Sequence, residues 1–316
     1  MDQEDTMIKI DLVTGFLGSG KTTFIKEYAR YLIDQGNKVG IIENDYGAVN
    51  VDMMLLDQTF QGQLEIEMIA GGCDEDCHRR RFKTKLIAMK MQGFDHIIVE
   101  PSGIYDVDEF FDVLHEDPLS SWYEIGSVIT IVNAKLSNHL SLHAKKMLAS
   151  QIANAGTIIL SRVDEASQSD IEHTLQGINE FLKQIQCRKC INKEDVLIKK
   201  FEDFTDDDYQ IIEKRGYKIE PYVKDITSIQ SGFESTYFLH VNLDIHILKE
   251  RIKQIFNDPG CGQVLRIKGF IEREGQWLEI NATDDDIITK PIDLGQQIII
   301  VIGEKLNKEK IERYLK

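Results

Sequence analysis

Ile8-Lys9-Ile10-Asp11-Leu12-Val13-Thr14 runs directly into Gly15-Phe16-Leu17-Gly18-Ser19-Gly20-Lys21-Thr22-Thr23. The first part, Ile8–Val13, is apolar, rich in β-branched residues and too short for a buried helix, so it reads as a buried strand. The second part breaks the strand with glycine at 15, 18 and 20, and apolar residues at helical spacing then continue from Thr22 to Gln35. Gly15 to Thr22 fits the phosphate-loop pattern, in which glycines let successive backbone N–H groups converge on phosphate oxygens. The helix that opens at Thr22 adds the positive end of its dipole to the same phosphates. In this reading Lys21 reaches the β- and γ-phosphates and Thr22 places its hydroxyl on Mg²⁺. Gly15, Gly18, Ser19, Gly20 and Thr23 complete the nucleotide cradle.

Outward from that loop, further short apolar runs lie at Val39–Ile42, His96–Val99, Val128–Val132 and Thr157–Leu160. Helical patterns occupy Thr22–Gln35, Arg80–Gln92, Val107–Leu114, Lys145–Asn154 and Ile171–Ile185. Strands alternating with helices imply a doubly wound, mostly parallel α/β sheet of the P-loop NTPase kind, with ligands at the carboxyl ends of the strands. After about Glu220 the pattern changes to Thr236–Asn242, a helix over Ile245–Phe256 and a hairpin of Gln263–Arg273 and Gln276–Asn281 about Glu274-Gly275. A strand at Gln297–Ile302 and a helix at Lys308–Leu315 complete a smaller C-terminal α+β domain. The expected division is 1–222 and 223–316. Asp206–Asp208 and Asp284–Asp286 read as solvated acidic turns or helix starts.

Two strand ends carry chemistry beside the loop. His96–Val99 ends in Glu100-Pro101-Ser102-Gly103, where the Glu100 carboxylate can order Mg²⁺-bound water or the attacking water and Gly103 can offer its amide to the γ-phosphate. Thr157–Leu160 runs into Ser161-Arg162-Val163-Asp164, at the place where a GTPase carries Asn-Lys-x-Asp. Asp164 can accept from guanine N1 and N2, for which adenine has no equivalent pair. Ser161 replaces the usual Asn there. Arg162 replaces the usual Lys, and can still lay its stem or guanidinium plane along the base.

The 316 residues carry a net charge of −16, with 53 acidic against 37 basic side chains. Such a chain repels nucleic-acid phosphates and anionic lipid, so neither nucleic acid nor membrane is expected as a partner. The compact basic run His78-Arg79-Arg80-Arg81-Phe82-Lys83 precedes Leu86, Ile87 and Met91 at helical spacing and reads as the solvated start of an amphipathic helix. No apolar run approaches the roughly 20 residues that span a bilayer, and the opening Met1-Asp2-Gln3-Glu4-Asp5 is acidic, so a cytoplasmic protein is expected. The five cysteines fit thiols or metal ligands better than a disulfide framework.

Together, Gly15–Thr23, Glu43-Asn44-Asp45-Tyr46-Gly47, Gly71-Gly72-Cys73, Glu100–Gly103 and Ser161–Asp164 resemble the CobW-like P-loop GTPases, relatives of the nickel-insertion GTPases of urease and hydrogenase maturation. Arg266–Phe270 and Ile299–Gly303 look like that family's smaller C-terminal domain. The resemblance implies slow GTP hydrolysis to GDP, coupled to delivery of a metal ion or metal cofactor to a client metalloprotein. It places Glu43 and Asp45 in a loop facing Mg²⁺ and nucleotide, and leaves a nucleotide-dependent homodimer open.

The family's metal motif is Gly-Cys-x-Cys-Cys, whereas this chain has Gly72-Cys73-Asp74-Glu75-Asp76-Cys77-His78. Only Cys73 aligns directly. Cys73, Cys77 and His78, with Glu43 and the local carboxylates, still offer thiolate, imidazole and oxygen donors suited to Zn²⁺, Co²⁺ or Ni²⁺ as cargo. Cys187 and Cys190 have the spacing of half a zinc knuckle but read first as surface thiols. Cys261 reads as a loop thiol, and His139 and His143 as an incidental pair on one helix face. Two other functions share the motifs: a nucleotide-gated protein–protein switch that holds no metal, and a small-molecule kinase. The kinase would need an arginine-rich lid that the chain lacks.

Overall fold

The computed structural model describes residues 7–43, 64–69, 75–136, 140–224, 233–273, 275–284, 286–292 and 297–316, with the side chains of 75–78 excepted. Its elements run β1 (Ile8–Thr14), α1 (Lys21–Asp34), β2 (Val39–Glu43), β3 (Leu64–Met68), α2 (Glu75–Lys90), β4 (His96–Glu100), α3 (Val107–Leu114) and α4 (Leu119–Trp122). Then come β5 (Tyr123–Asn133), α5 (Leu142–Asn154), β6 (Thr157–Ser161), α6 (Gln168–Gln184), β7 (Val196–Ile198) and α7 (Asp206–Arg215). The last part holds β8 (Glu234–Leu239), α8 (Ile245–Asn257), β9 (Gln263–Arg273), β10 (Gln276–Ala282), β11 (Ile287–Ile292), β12 (Ile298–Glu304) and α9 (Lys308–Leu315). Two compact units result, one from the described residues up to Lys224 and one from those of 233–316.

The first unit is a seven-stranded sheet in the order β3-β2-β4-β1-β5-β6-β7, and each neighbouring pair is parallel. Parallel strands buried on both faces alternate which core they feed. Ile10 and Leu12 pack with Phe82, Leu86 and Phe110 on one side, while Val13, Ile41, Ile98 and Ile131 pack with Phe24, Tyr28 and Leu32 on the other. A further core joins Val132, Ile158 and Leu160 to Leu148, Ile152, Ile178 and Leu182. Because every strand points the same way, the loops after β1, β4, β6 and β7 leave from one edge, and β1 is the point at which the strand order reverses.

One charged residue interrupts this apolar alternation. Asp11, in the middle of β1, is 1% exposed. Its Oδ1 accepts from Ser127 N at 2.6 Å, and its Oδ2 accepts from the Tyr28 hydroxyl at 2.6 Å and lies 2.7 Å from His96 Nε2. The β1–β5 register shifts between Ile10 and Leu12, at the bulge into which Asp11 reaches. Gly126 leaves room for it, since a Cβ there would stand 2.2 Å from Asp11 Oδ1. A single carboxylate thus ties β1 to β4, β5 and α1.

The second unit is a five-stranded sheet in the order β11-β10-β9-β12-β8, antiparallel throughout. Leu248, Ile252 and Ile255 of α8 and Ile311 and Leu315 of α9 pack with Ile267, Ile271, Ile280, Ile299 and Val301 of its strands. The sequence patterns pass over β11, whose Ile-Ile-Thr-Lys-Pro-Ile keeps Lys290 and Pro291 exposed on a sheet edge, where such residues discourage further strand pairing. Two cysteine expectations are corrected: Cys261 is wholly buried, and Cys187 is buried too, because the turns carrying them fold onto the cores. The basic run lies in α2, which begins at Glu75 rather than Arg80. Arg79 and Lys83 both grip Glu116 there. Asp206–Asp208 form the first turn of α7, in which the capping box pairs Thr205 with Asp208.

Candidate nucleotide-binding site

The loop between β1 and α1 takes its shape from glycine. Gly15, Gly18 and Gly20 all have positive φ, at 144°, 74° and 95°, conformations that side chains with a Cβ resist. At Gly15 a Cβ would also stand 2.3 Å from Ile131 O and 2.7 Å from Ser19 Oγ. The turn is closed by Ser19 N donating to Phe16 O at 3.2 Å, and Lys21 Nζ folds back to donate to Gly15 O at 3.0 Å. Helix α1 starts from Gly20 with no side-chain cap and no acidic residue in its first turn, so its leading N–H groups face an anion's position without a competing carboxylate. Ser19 Oγ is buried without a hydrogen-bond partner among the described residues. A phosphate oxygen would satisfy it. Thr23 is exposed on the first turn of α1.

Next to this cradle lies a hard-oxygen donor set. Thr22 Oγ1 donates to Glu100 Oε1 at 2.7 Å. Glu43, ending β2, is in register with Glu100, ending β4, and parallel neighbours in register place their side chains on the same face. Glu43 and Glu100 are 3% and 7% exposed. Two carboxylates buried together favour a bound cation. One hydroxyl and two carboxylates beside a phosphate cradle suit Mg²⁺, which takes few protein ligands and completes its shell from water and phosphate. The residues present therefore fit that ion.

The loop after β4 presses on the cradle. A Cβ on Gly103 would stand 2.6 Å from Leu17 N, so only glycine allows this approach. Gln151 of α5, fully buried, donates from Nε2 to Gly103 O at 3.2 Å and Tyr105 O at 3.4 Å, and holds the loop there.

The base loop after β6 divides its expected residues. Ser161 is buried, and its Oγ donates back to Val132 O at 3.4 Å. Arg162 adopts φ 54°, a left-handed conformation that is uncommon outside glycine and asparagine. Asp164 is exposed and pairs with Lys200, Nζ to Oδ2 3.1 Å. The hydrogen bond from Lys200, joined by the backbone N–H groups of Asp164 and Glu165, holds this carboxyl below the usual carboxylate range. Lys200 and its neighbour Phe201 were not expected at the site. The Phe201 ring lies 3.5 Å from where a Gly20 Cβ would be and meets Phe24 edge-on at 5.6 Å between centroids. The segment after β7 is thereby pinned to the cradle. Its sequence signal, Lys199-Lys200-Phe201 after a three-residue apolar run, is too short to read.

The expected Mg²⁺ ligand Asp45 and the expected transition-metal ligand Cys73, and the side chains of Cys77 and His78, lie outside the described residues, as does His139. Among the described residues no group of three or more His, Cys, Asp or Glu is placed to hold a metal ion. Cys187 and Cys190 have a structural setting instead. Gln186, at φ 56°, ends α6, and Cys187 N donates to Leu182 O at 2.9 Å, a pattern that turns a helix end under an apolar contact. Between the two thiols, Lys189 Nζ donates to Ile152 O, Ala153 O and Ala155 O at 2.8, 3.2 and 2.6 Å, closing the carbonyl end of α5. Among the described residues no helix is long and apolar enough to cross a membrane.

A model of the CobW/HypB/UreG nucleotide-binding domain matches residues 9–193, more than half of the chain. The zinc chaperone YeiR of Escherichia coli K12 is 28% identical over 171 residues, covering 54% of this chain and 51% of that protein. The zinc chaperone YjiA of the same organism is 28% identical over 178 residues, covering 52% of each. The zinc-regulated GTPase metalloprotein activator 1 of Schizosaccharomyces pombe is 24% identical over 198 residues, covering 59% of this chain and 47% of that protein. The chain spans about half the length of these curated relatives.

Proposed function

This chain belongs to the CobW/HypB/UreG family of nucleotide-binding domains, and we propose that it is a slow GTPase that delivers a transition metal, or a metallated cofactor, to a client protein. The observation that carries the reading is the bond from Thr22 to Glu100 across the mouth of a glycine-shaped loop. Relatives named as zinc chaperones and as a zinc-regulated GTPase support the metal half and make Zn²⁺ the first choice of cargo, ahead of Co²⁺ and Ni²⁺.

In this reading Lys21 leaves the Gly15 carbonyl for the β- and γ-phosphates, while Ser19 and the leading N–H groups of α1 hold their oxygens. Thr22 and Glu100, with Glu43 in register beside Glu100, would hold Mg²⁺, and Asp45 is assigned to the same ion. That ion supplies charge neutralisation on the β- and γ-phosphates. Glu100 orients the attacking water, and Gly103 offers its amide to the γ-phosphate. The water oxygen bonds to the γ-phosphorus as the bond to the bridging oxygen breaks, giving GDP and phosphate. Asp164 accepts from guanine N1 and N2, with Arg162 along the base. Cys73, Cys77 and His78, with Glu43, hold the cargo metal, and the chain acts in the cytoplasm as domains 1–222 and 223–316, with nucleotide-dependent dimerisation part of its cycle.

The thiolate charge-transfer absorption of Co²⁺, titrated against the chain loaded with a GTP analogue and with GDP, tests this. The two states are expected to differ in Co²⁺ affinity, and the Cys73→Ser/Cys77→Ser double variant to lose the absorption. A second reading draws on the altered motif Gly72-Cys73-Asp74-Glu75-Asp76-Cys77-His78. Equal Co²⁺ binding in both states, or undiminished binding by the double variant, would replace the metallochaperone with a metal-free nucleotide switch.

A further inference from the structure

Ser161 stands in the base loop where a GTPase usually carries asparagine. A site that selects guanine must satisfy its six-membered edge, which presents the O6 acceptor, then the N1–H donor, then the N2 amino donor. Asp164 supplies acceptors for the two donors. Ser161 cannot serve O6, because it is 4% exposed and its hydroxyl is turned onto Val132 O. Lys200 stands beside that acceptor, its Nζ 3.1 Å from Asp164 Oδ2, with the two side chains 46% and 49% exposed and so open to a ligand.

We propose that Lys200 is a specificity-determining residue of the base site, donating to the 6-oxo group of guanine while Asp164 accepts from N1 and N2. This rests on the reading of the site as a guanine-nucleotide site and adds a residue to it. The ion pair lays out donor, acceptor, acceptor, the row that cytosine offers guanine in a base pair. Adenine opposes it at both positions. Its 6-amino donor meets the ammonium and its N1 acceptor meets the carboxylate, so neither charged group gains a hydrogen bond from the base in exchange for the water it loses.

Placement agrees with the chemistry. Lys200 leads into the short turn Phe201–Asp203, and Phe201 packs over Gly20 and beside Phe24. Phosphate cradle, base loop and lysine are therefore held in one frame. Lys199, one residue earlier, points elsewhere and pairs with Asp208 at 2.8 Å.

The test uses the full chain, Lys200→Met and Lys200→Arg, with fluorescent-displacement titration of GDP, 6-thio-GDP and ADP. In 6-thio-GDP sulfur, a weak acceptor, replaces O6 while N1–H and the 2-amino group remain. The wild type is expected to prefer GDP to 6-thio-GDP by about tenfold or more, the scale of one hydrogen bond from a charged donor. Lys200→Met should bind the two alike and narrow the gap between GDP and ADP. Lys200→Arg should restore part of both preferences. A lysine that only braced the loop would weaken GDP and 6-thio-GDP equally, and that result overturns the proposal, as does an unchanged preference in Lys200→Met. A wild type that binds no guanine nucleotide removes the site reading as well. A wild type that binds GDP and 6-thio-GDP equally removes only the role of Lys200.

Discussion

Thr22 Oγ1 donates to Glu100 Oε1 across 2.7 Å, and this bond joins the first turn of α1 to the end of β4. In the proposed function, this is where the γ-phosphate and the attacking water meet. Glu100→Gln keeps an acceptor for Thr22 and removes the charge. Single-turnover GTP hydrolysis is expected to fall by about a hundredfold or more, the low end of what a positioned acid–base group supplies, while GTP affinity changes only a few-fold. An equal loss of affinity and turnover would assign Glu100 to binding alone.

Asp11 joins β1, β4, β5 and α1 through one buried carboxylate. Asp11→Ala leaves the Tyr28 hydroxyl, the Ser127 amide and His96 without their acceptor. Denaturant titration should show a loss of about 3–5 kcal/mol, the usual cost of breaking a buried pair from one side. Burial is the largest influence on this carboxyl and pushes its pKa up, but the charge and hydrogen bond of His96, with Tyr28 and Ser127, outweigh it and leave the net shift downward. A depressed folded-state pKa means that its stabilisation is present above the unfolded carboxylate value and is lost as the pH falls below it. The wild type should therefore lose stability on acidification more steeply than Asp11→Asn.

Asp258 does similar work in the second unit. Lys310 and Tyr314 of α9 and the Gly260 amide donate to it and bring its pKa down to about 2. Its contribution is complete above the ordinary value of 3.8 and fades as the pH falls toward about 2. Proton-linked changes in the Tyr314 ring signals should fall in that window in the wild type and be absent in Asp258→Asn. Coincidence with global unfolding in both proteins would show that the contact does not titrate locally.

Legibility in the sequence followed the range of the interactions. Helices α3 and α9 and strand β9 could be bounded from residues alone because their ends are set locally, by Asp106 capping α3 and Asn307 capping α9. The phosphate loop was legible because each of its residues serves the same short-range chemistry. The pairing of Asp164 with Lys200 joins loops that follow different strands, and nothing periodic announces it. The role of Asp11 is not legible from the strand Ile8–Val13 alone, since it depends on a bulge in β5 and on Gly126. Cys187 and Cys261 sat among turn residues that predict exposure, and only the packing of those turns onto the cores buries them.

Titration calorimetry of GTP in the presence of Mg²⁺, for the wild type and Lys21→Ala, tests the claim on which the rest depends. Lys21 makes its described side-chain hydrogen bond to Gly15 O within the loop itself, so the variant is expected to keep its thermal unfolding midpoint within a few degrees. The wild type should bind GTP, and Lys21→Ala should lose affinity by about a hundredfold, as expected for removal of a cation that serves the phosphates. Equal GTP affinity in the two proteins, with both folded, would contradict the account.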